Sequence, residues 1–138
     1  MVYQEEITVT THGEGDIVDL TPAVRRCVAA SGTETGACTL FLIGSTAALT
    51  TIEYEDGVLS DLMDALGRVA PSGIPYAHDS RWGDGNGRSH VRASLVGPSL
   101  VVPVQDGTLR VGTWQQVVLV ELDVREHRER TVLCTVIP

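Results

Sequence analysis

Lysine is absent from this sequence, and all ten of its cationic side chains other than histidine are arginine. Eighteen aspartates and glutamates oppose them, for a formal net charge of -8. That balance excludes general affinity for nucleic acid or anionic lipid, both of which depend on surplus cationic side chains. Any anion contact made by a side chain therefore falls to Arg or His, and Arg suits forked contacts with carboxylate or phosphate. Long apolar runs are missing too: none approaches the roughly 20 residues that a membrane-crossing helix requires. The opening Met1-Val2-Tyr3-Gln4-Glu5-Glu6 lacks the basic and then apolar order of a signal peptide, so a cytoplasmic location is expected. Cysteine is scarce. Cys27, Cys38 and Cys134 are odd in number, far apart and set in apolar stretches, which excludes a disulfide framework or zinc knuckle in favour of buried reduced thiols. A Gly-x-Ser-x-Gly elbow is also lacking, so nothing indicates a Ser-His-Asp hydrolase.

What is present reads as one globular domain over residues 1–138. Hydrophobic residues make up 43% and charged residues 20%, and the length supports a single core. Residues 2–10 are rich in β-branched side chains and predict a strand, closed by a turn at His12-Gly13-Glu14-Gly15-Asp16, with a short strand over 17–20. Thr21 as cap and Pro22 at the first helical position predict a helix carrying Val24, Cys27 and Val28, which Ser31-Gly32 stops. Strands are expected over 37–43 and 47–52. Val58, Leu59, Leu62, Met63, Leu66 and Val69 then trace one helix face, with Asp61 and Asp64 opposite. Residues 71–89 lose all periodicity and read as a long functional loop. The last third predicts strands over 100–104, 108–111, 113–122 and 131–137, with Asp106-Gly107 supplying a hairpin turn. The sum is an α+β domain with about three helical segments and about seven strands.

Two stretches carry a resemblance to a known family. The first is Ser99-Leu100-Val101-Val102-Pro103, then Gly107, then Gly112-Thr113-Trp114-Gln115 and Glu121. The second is Tyr76-Ala77-His78-Asp79, followed by Asp84-Gly85-Asn86 and His90. Thr46-Ala47-Ala48-Leu49-Thr50 with Glu53, Gly97-Pro98-Ser99, and Arg128 or Arg130 add to it. Together they resemble the YjbQ-like family, associated with a secondary thiamine-phosphate synthase activity. The resemblance implies an α+β fold of two packed β-sheets, a homotrimer about a threefold axis, and a pocket. At Gly44 and Arg88 the chain departs from the family, whose members commonly carry histidine there.

The candidate site residues follow from their chemistry. His78 with Asp79 pairs an imidazole with a carboxylate able to set its tautomer, and His90 lies where a short helix can begin after Ser89. These three are the catalytic candidates. Asp84-Gly85-Asn86-Gly87 makes a tight turn, which either ends there or also delivers Asn86 and His90 to a pocket. Arg88 adds a fixed positive charge suited to phosphate, and Ser45 and Thr46 follow a glycine that lets a ligand approach the backbone. Glu53, Gln115 and Glu121 complete the ligand-binding set; Glu121 can alternatively pair with Arg125 or Arg128. Trp114 is expected in the core or at a subunit contact. The expected ligand is small and phosphate-bearing or anionic. No cofactor is assigned. A divalent metal held by His78 and His90 is the minor reading, because Gly44 and Arg88 remove two imidazoles from a set that needs three or four donors. The alternatives are thus an enzyme of the thiamine-phosphate synthase type, a trimeric metabolite-binding protein without chemistry, and a metal-dependent enzyme.

Overall fold

The structure, a computed structural model, describes residues 1–138. Its centre is best understood from the run Val117-Val118-Leu119-Val120, in which every residue is fully buried. An apolar run without alternation is what a strand covered on both faces requires. That strand, β7 (Gln115–Glu121), is the middle of a three-stranded antiparallel sheet, flanked by β2 (Ile17–Asp19) and β4 (Ala47–Glu53). β1 (Tyr3–Thr11) and β8 (Arg128–Ile137) instead alternate between covered and more open positions. They join β3 (Thr35–Ile43), β5 (Ser99–Gln105) and β6 (Thr108–Leu109) in a five-stranded sheet of order β1-β8-β3-β5-β6.

The two sheets face each other. Leu40, Leu42, Val102 and Val132 of the larger sheet share one core with Leu49, Val117 and Leu119 of the smaller. Helix α1 (Thr21–Ser31) adds Val24, Cys27 and Val28 to it. The other face of the small sheet, through Ala48, Val118 and Val120, is covered by α2 (Asp56–Val69) and α4 (Gly87–Val96), which contribute Leu66 and Ala93. Each fully buried Val or Leu contributes about 1.5–3 kcal/mol, so these two clusters hold the layers together. This is the α+β, two-sheet architecture expected.

Three expectations change in detail. There are four helices and eight strands, and the helix count rises because residues 71–89 are not one loop: they contain α3 (Ala77–Trp82) and the first turn of α4. Thr21 does not cap α1; Leu20 occupies the cap position without a side-chain bond, and the Thr21 hydroxyl accepts from the Val117 amide at 2.8 Å. The cap of α2 is Glu55, whose carboxylate accepts from the amides of Val58, at 3.1 Å, and Gly57. The Trp114 side chain lies outside the core of this chain, 73% exposed. The turn at Asp106-Gly107 forms as expected, with φ of 53° and 74° at the two positions.

All three cysteines are buried and unpaired, and burial pushes the Cys27 thiol up to about 11. No helix is long and apolar enough to cross a membrane. Gly36 is held by close approach: a Cβ there would lie 2.1 Å from the Ile137 carbonyl oxygen. Gly36→Ala is accordingly expected to cost about 1–3 kcal/mol, read as a drop of several degrees in the calorimetric midpoint. An unchanged midpoint would show that the β3–β8 edge yields freely.

Candidate functional site

The site is built by the short helices that sequence periodicity did not reveal. Gly83, at φ 68°, ends α3 and sends the chain into the Asp84 turn, where the Asp84 carboxylate accepts from the Asn86 amide at 3.0 Å. α4 then begins at Gly87, whose amide donates to Asp79 Oδ1 at 2.9 Å and so ties the two helices together. Only glycine fits this junction, since a Cβ would stand 2.4 Å from that of Tyr76.

His78 and His90 come together, with ring centroids 4.5 Å apart and planes inclined at 58°. His78 Nε2 lies 3.0 Å from Asp84 Oδ1. The carboxylate beside His78 is thus Asp84 rather than the adjacent Asp79, whose oxygen is occupied by the Gly87 amide. The Asn86 amide, and then His78, hold the Asp84 carboxyl below its usual value. His90, in the first turn of α4 rather than at its start, places Nδ1 3.1 Å from the Ser45 carbonyl oxygen. A carbonyl only accepts, so Nδ1 carries the proton and Nε2 of the neutral ring keeps a lone pair. The same reasoning assigns the proton of His78 to Nε2, leaving its Nδ1 as the free nitrogen. Each imidazole is thereby fixed on one side and open on the other. A cleft of about 220 Å³ runs beside His90, lined by Gly44, Ser45, Ala47, Ala93, Ser94 and Pro98.

Other candidates serve elsewhere. Arg88 is not free for an anion: its Nε and Nη2 donate to the Glu14 carboxylate at 2.8 Å each, and Arg92 Nη1 donates to the same group at 3.2 Å. The Arg88 hydrogen bond, foremost, holds the Glu14 carboxyl below its usual value. Asn86 is buried, its Oδ1 accepting from the Ser89 hydroxyl at 2.9 Å and the Val124 amide at 3.0 Å, so the turn brings His90 but not the Asn86 amide to the cleft. Thr46 is buried between Asp123, to which its hydroxyl donates at 2.9 Å, and Arg130.

Glu121 pairs with neither Arg125 nor Arg128. It is fully buried, accepting from Arg130 Nε at 2.7 Å, the Thr11 hydroxyl at 2.6 Å and the amides of Leu122 and Asp123 at 3.0 Å each. Burial alone pushes the Glu121 carboxyl up, yet Arg130, Thr11 and the backbone together hold it below its usual value. Such a carboxylate supports the fold rather than an acid–base step. Glu53 and Gln115 pair with each other across β4 and β7, six residues along from the Ala47–Glu121 pair. That separation is about 20 Å. A single chain therefore does not bring them to the histidines; Gln115 instead donates to Thr51 Oγ1 and accepts from the Gly112 amide, both at 3.0 Å.

The residue that sequence reading missed as a site group is Asp84. It showed itself only as a turn former, and the end of α3 is what folds it back toward His78. His78, Asp79 and Asp84 offer oxygen and nitrogen donors within 4.8 Å of one another. One imidazole and two carboxylates suit a divalent cation in kind, although both carboxylates already accept backbone amides.

Fold and cleft together define the class: a two-sheet α+β protein with paired, oppositely anchored imidazoles beside a small concavity. A family model described as UPF0047 protein YjbQ-like matches residues 5–138, and the chain belongs to that family. A UPF0047 protein of Archaeoglobus fulgidus is 36% identical over 118 residues, covering 86% of this chain and 90% of the relative. Another, from Mycobacterium tuberculosis strain H37Rv, is 40% identical over 116 residues, covering 84% of each. Among solved structures, a YbjQ-like protein of unknown function from Sulfolobus solfataricus P2 superposes with a TM-score of 0.87 at 34% identity, over 98% of this chain and 97% of that one.

Proposed function

We propose that the cleft beside Ser45 and α4 takes a small phosphate-bearing or otherwise anionic molecule, and that His90, assisted by His78, moves a proton on it. The observation that carries this reading is the anchoring of His90 through Nδ1, which leaves Nε2 as a base of fixed tautomer beside the cleft. Ser45 offers a hydroxyl, and Gly44 has no side chain to bar close approach of a ligand. Thiamine-phosphate synthesis, implied by the family resemblance, is the reaction to assay first. The test pairs that assay with calorimetric titration of inorganic pyrophosphate into wild type and His90→Ala. Binding and turnover both lost in the variant support the proposal. Pyrophosphate binding without turnover in wild type selects the non-enzymatic binding protein, and equal behaviour of both proteins ends the reading altogether.

The grouping of His78, Asp79 and Asp84 favours a second reading, a metal-assisted reaction. Elemental analysis of untagged protein dialysed against zinc or manganese decides it: a stoichiometric ion lost in Asp84→Asn establishes the metal, and its lack in wild type removes it.

The assembly we propose is a homotrimer of a cytoplasmic protein. Buried unpaired cysteines support a reducing compartment. Support for self-association comes from the outer face of the five-stranded sheet, where Phe41, Ile43, Val101 and Ile137 are exposed around Leu133. A contiguous apolar face of this kind calls for a covering partner, and a second copy is the occupant proposed. Light scattering should give three times the 14.8 kDa chain mass, falling to one in Phe41→Glu. A wild-type monomer at micromolar concentration refutes the trimer.

A further inference from the structure

The two histidines outside the cleft, His12 and His127, meet at the end of the β1–β8 ladder. Register explains the meeting. The last paired residues are Thr11 and Arg128, and one step further the same register sets His12 opposite His127. Thr11 is fully buried, so alternation turns its neighbours Thr10 and His12 to the open side of the sheet, with Glu129 and His127 across from them. Two exposed imidazoles result, with ring centroids 5.8 Å apart and planes inclined at 58°.

Neither ring is committed to a protein partner. The charged groups around them are engaged with others: Arg128 donates to Asp123, Glu129 accepts from the Thr10 hydroxyl at 3.0 Å, and Asp16 accepts from the His12 amide at 2.9 Å. Each neutral imidazole therefore has a lone pair to offer, from whichever nitrogen lacks the proton. A metal ion at the usual Zn–N length stands about 3 Å from each ring centre, and N–metal–N angles of about 90–130° then set the centres about 4.5–6 Å apart. The observed separation falls within that range. Directly opposed residues keep their Cβ atoms about 4.5–5.5 Å apart, so closing on an ion takes rotation of two exposed rings and no movement of the backbone.

Paired imidazoles favour late first-row divalent ions, Cu2+ above all, over Mg2+ and Ca2+, which prefer oxygen. We infer that His12 and His127 together chelate a late first-row divalent transition-metal ion, each through one ring nitrogen, with water or an exogenous ligand in the remaining positions. Two protein donors leave the ion exchangeable, unlike one closed in by four. The pair shares no residue with the His78, Asp79 and Asp84 grouping, and it lies about 20 Å along β8 from Leu133, the centre of the apolar face proposed to pair with a second copy.

The test uses untagged, assembled protein carrying His78→Ala, which removes the imidazole of the other candidate metal group. Titration of Cu2+ into it should saturate, and the electron paramagnetic resonance spectrum should carry coupling to imidazole nitrogen. His12→Ala and His127→Ala, added separately to that background, should each weaken binding about tenfold or more, since losing even an outer partner of a ligand typically costs about 10–100-fold. Both side chains are exposed, so the metal-free thermal midpoints should match, which separates a lost ligand from a damaged fold. An affinity that either substitution leaves unmoved overturns the chelate. So does Cu2+ binding that disappears with His78→Ala alone, which would place the ion at the other group. Mg2+ competing on equal terms would mark binding by carboxylates and overturn it as well.

Discussion

Arg130→Ala is expected to lower the unfolding free energy by about 3–5 kcal/mol, the usual cost of breaking a buried ion pair by removing one partner. Arg130 and Glu121 are both essentially inaccessible to water, and the guanidinium also donates to the Thr46 hydroxyl at 2.8 Å. Deleting it strands the Glu121 carboxylate in the interior, where an unpaired charge is far costlier than on the surface. Replacing the pair together, as Arg130→Met with Glu121→Leu, should recover most of the loss, because desolvating two ions offsets much of what their attraction contributes. Urea denaturation at neutral pH measures both variants. A loss below about 1 kcal/mol in Arg130→Ala would place this pair with exposed ones of little worth.

The same cluster sets an acid limit. Glu121, Asp123 and Glu14 have carboxyls held below their usual values; for Asp123, burial acts upward but the Arg125 amide, Thr46 and Arg128 outweigh it. A depressed carboxyl stabilises the fold above its unfolded value, 4.5 for the glutamates and 3.8 for the aspartate, and the contribution fades as pH falls through the lower folded value. Stability should therefore hold between pH 5 and 7 and decline below about 4.5. In Arg130→Ala the depression of Glu121 largely disappears, so the variant should show a shallower acid dependence than wild type.

On the proposed proton-transfer role, His90→Ala is expected to reduce turnover about 10²–10⁴-fold, while leaving the thermal midpoint nearly unchanged. The small effect on stability follows from its place: the ring is only partly covered and its one bond, to the Ser45 carbonyl, can pass to water. Asp84→Asn should be milder. An amide in place of the carboxylate still accepts from His78 Nε2 and so keeps the ring oriented, which limits the loss to that of the charge on the bond. The proposed thiamine-phosphate synthesis, read by kcat/KM, is the assay that checks both variants. A fully active His90→Ala would remove the imidazole from the mechanism.

What could be read from sequence and what could not divide along a physical line. The helix over residues 58–69 and the hairpin at Asp106-Gly107 are legible because spacing and φ preference act within a few residues. The run at 117–120 is legible as strand, while the covering of both its faces is seen only once the helices are placed. The stretch 71–89 misleads because α3 is six residues long, too short to show a period, and the Gly-Asp-Gly-Asn-Gly sequence between α3 and α4 resembles loop. Arg88 looks like an anion clamp until Glu14, 74 residues earlier, arrives beside it. Trp114 reads as core or subunit contact because an indole ordinarily packs, and its place outside this chain's core is a matter of tertiary structure.

By itself, then, the sequence determined the α+β class, the family, the acidic character and the two histidines worth testing, since each of these rests on residue type, order or short-range periodicity. Only the tertiary structure decided that Asp84 rather than Asp79 supports His78, that Glu121 belongs to Arg130, that Arg88 is already neutralised, and that Glu53 and Gln115 lie far from His90. The reason is that an ion pair or hydrogen bond forms between whichever groups the sheets and helix ends bring within about 3 Å, and nothing in local spacing encodes that meeting.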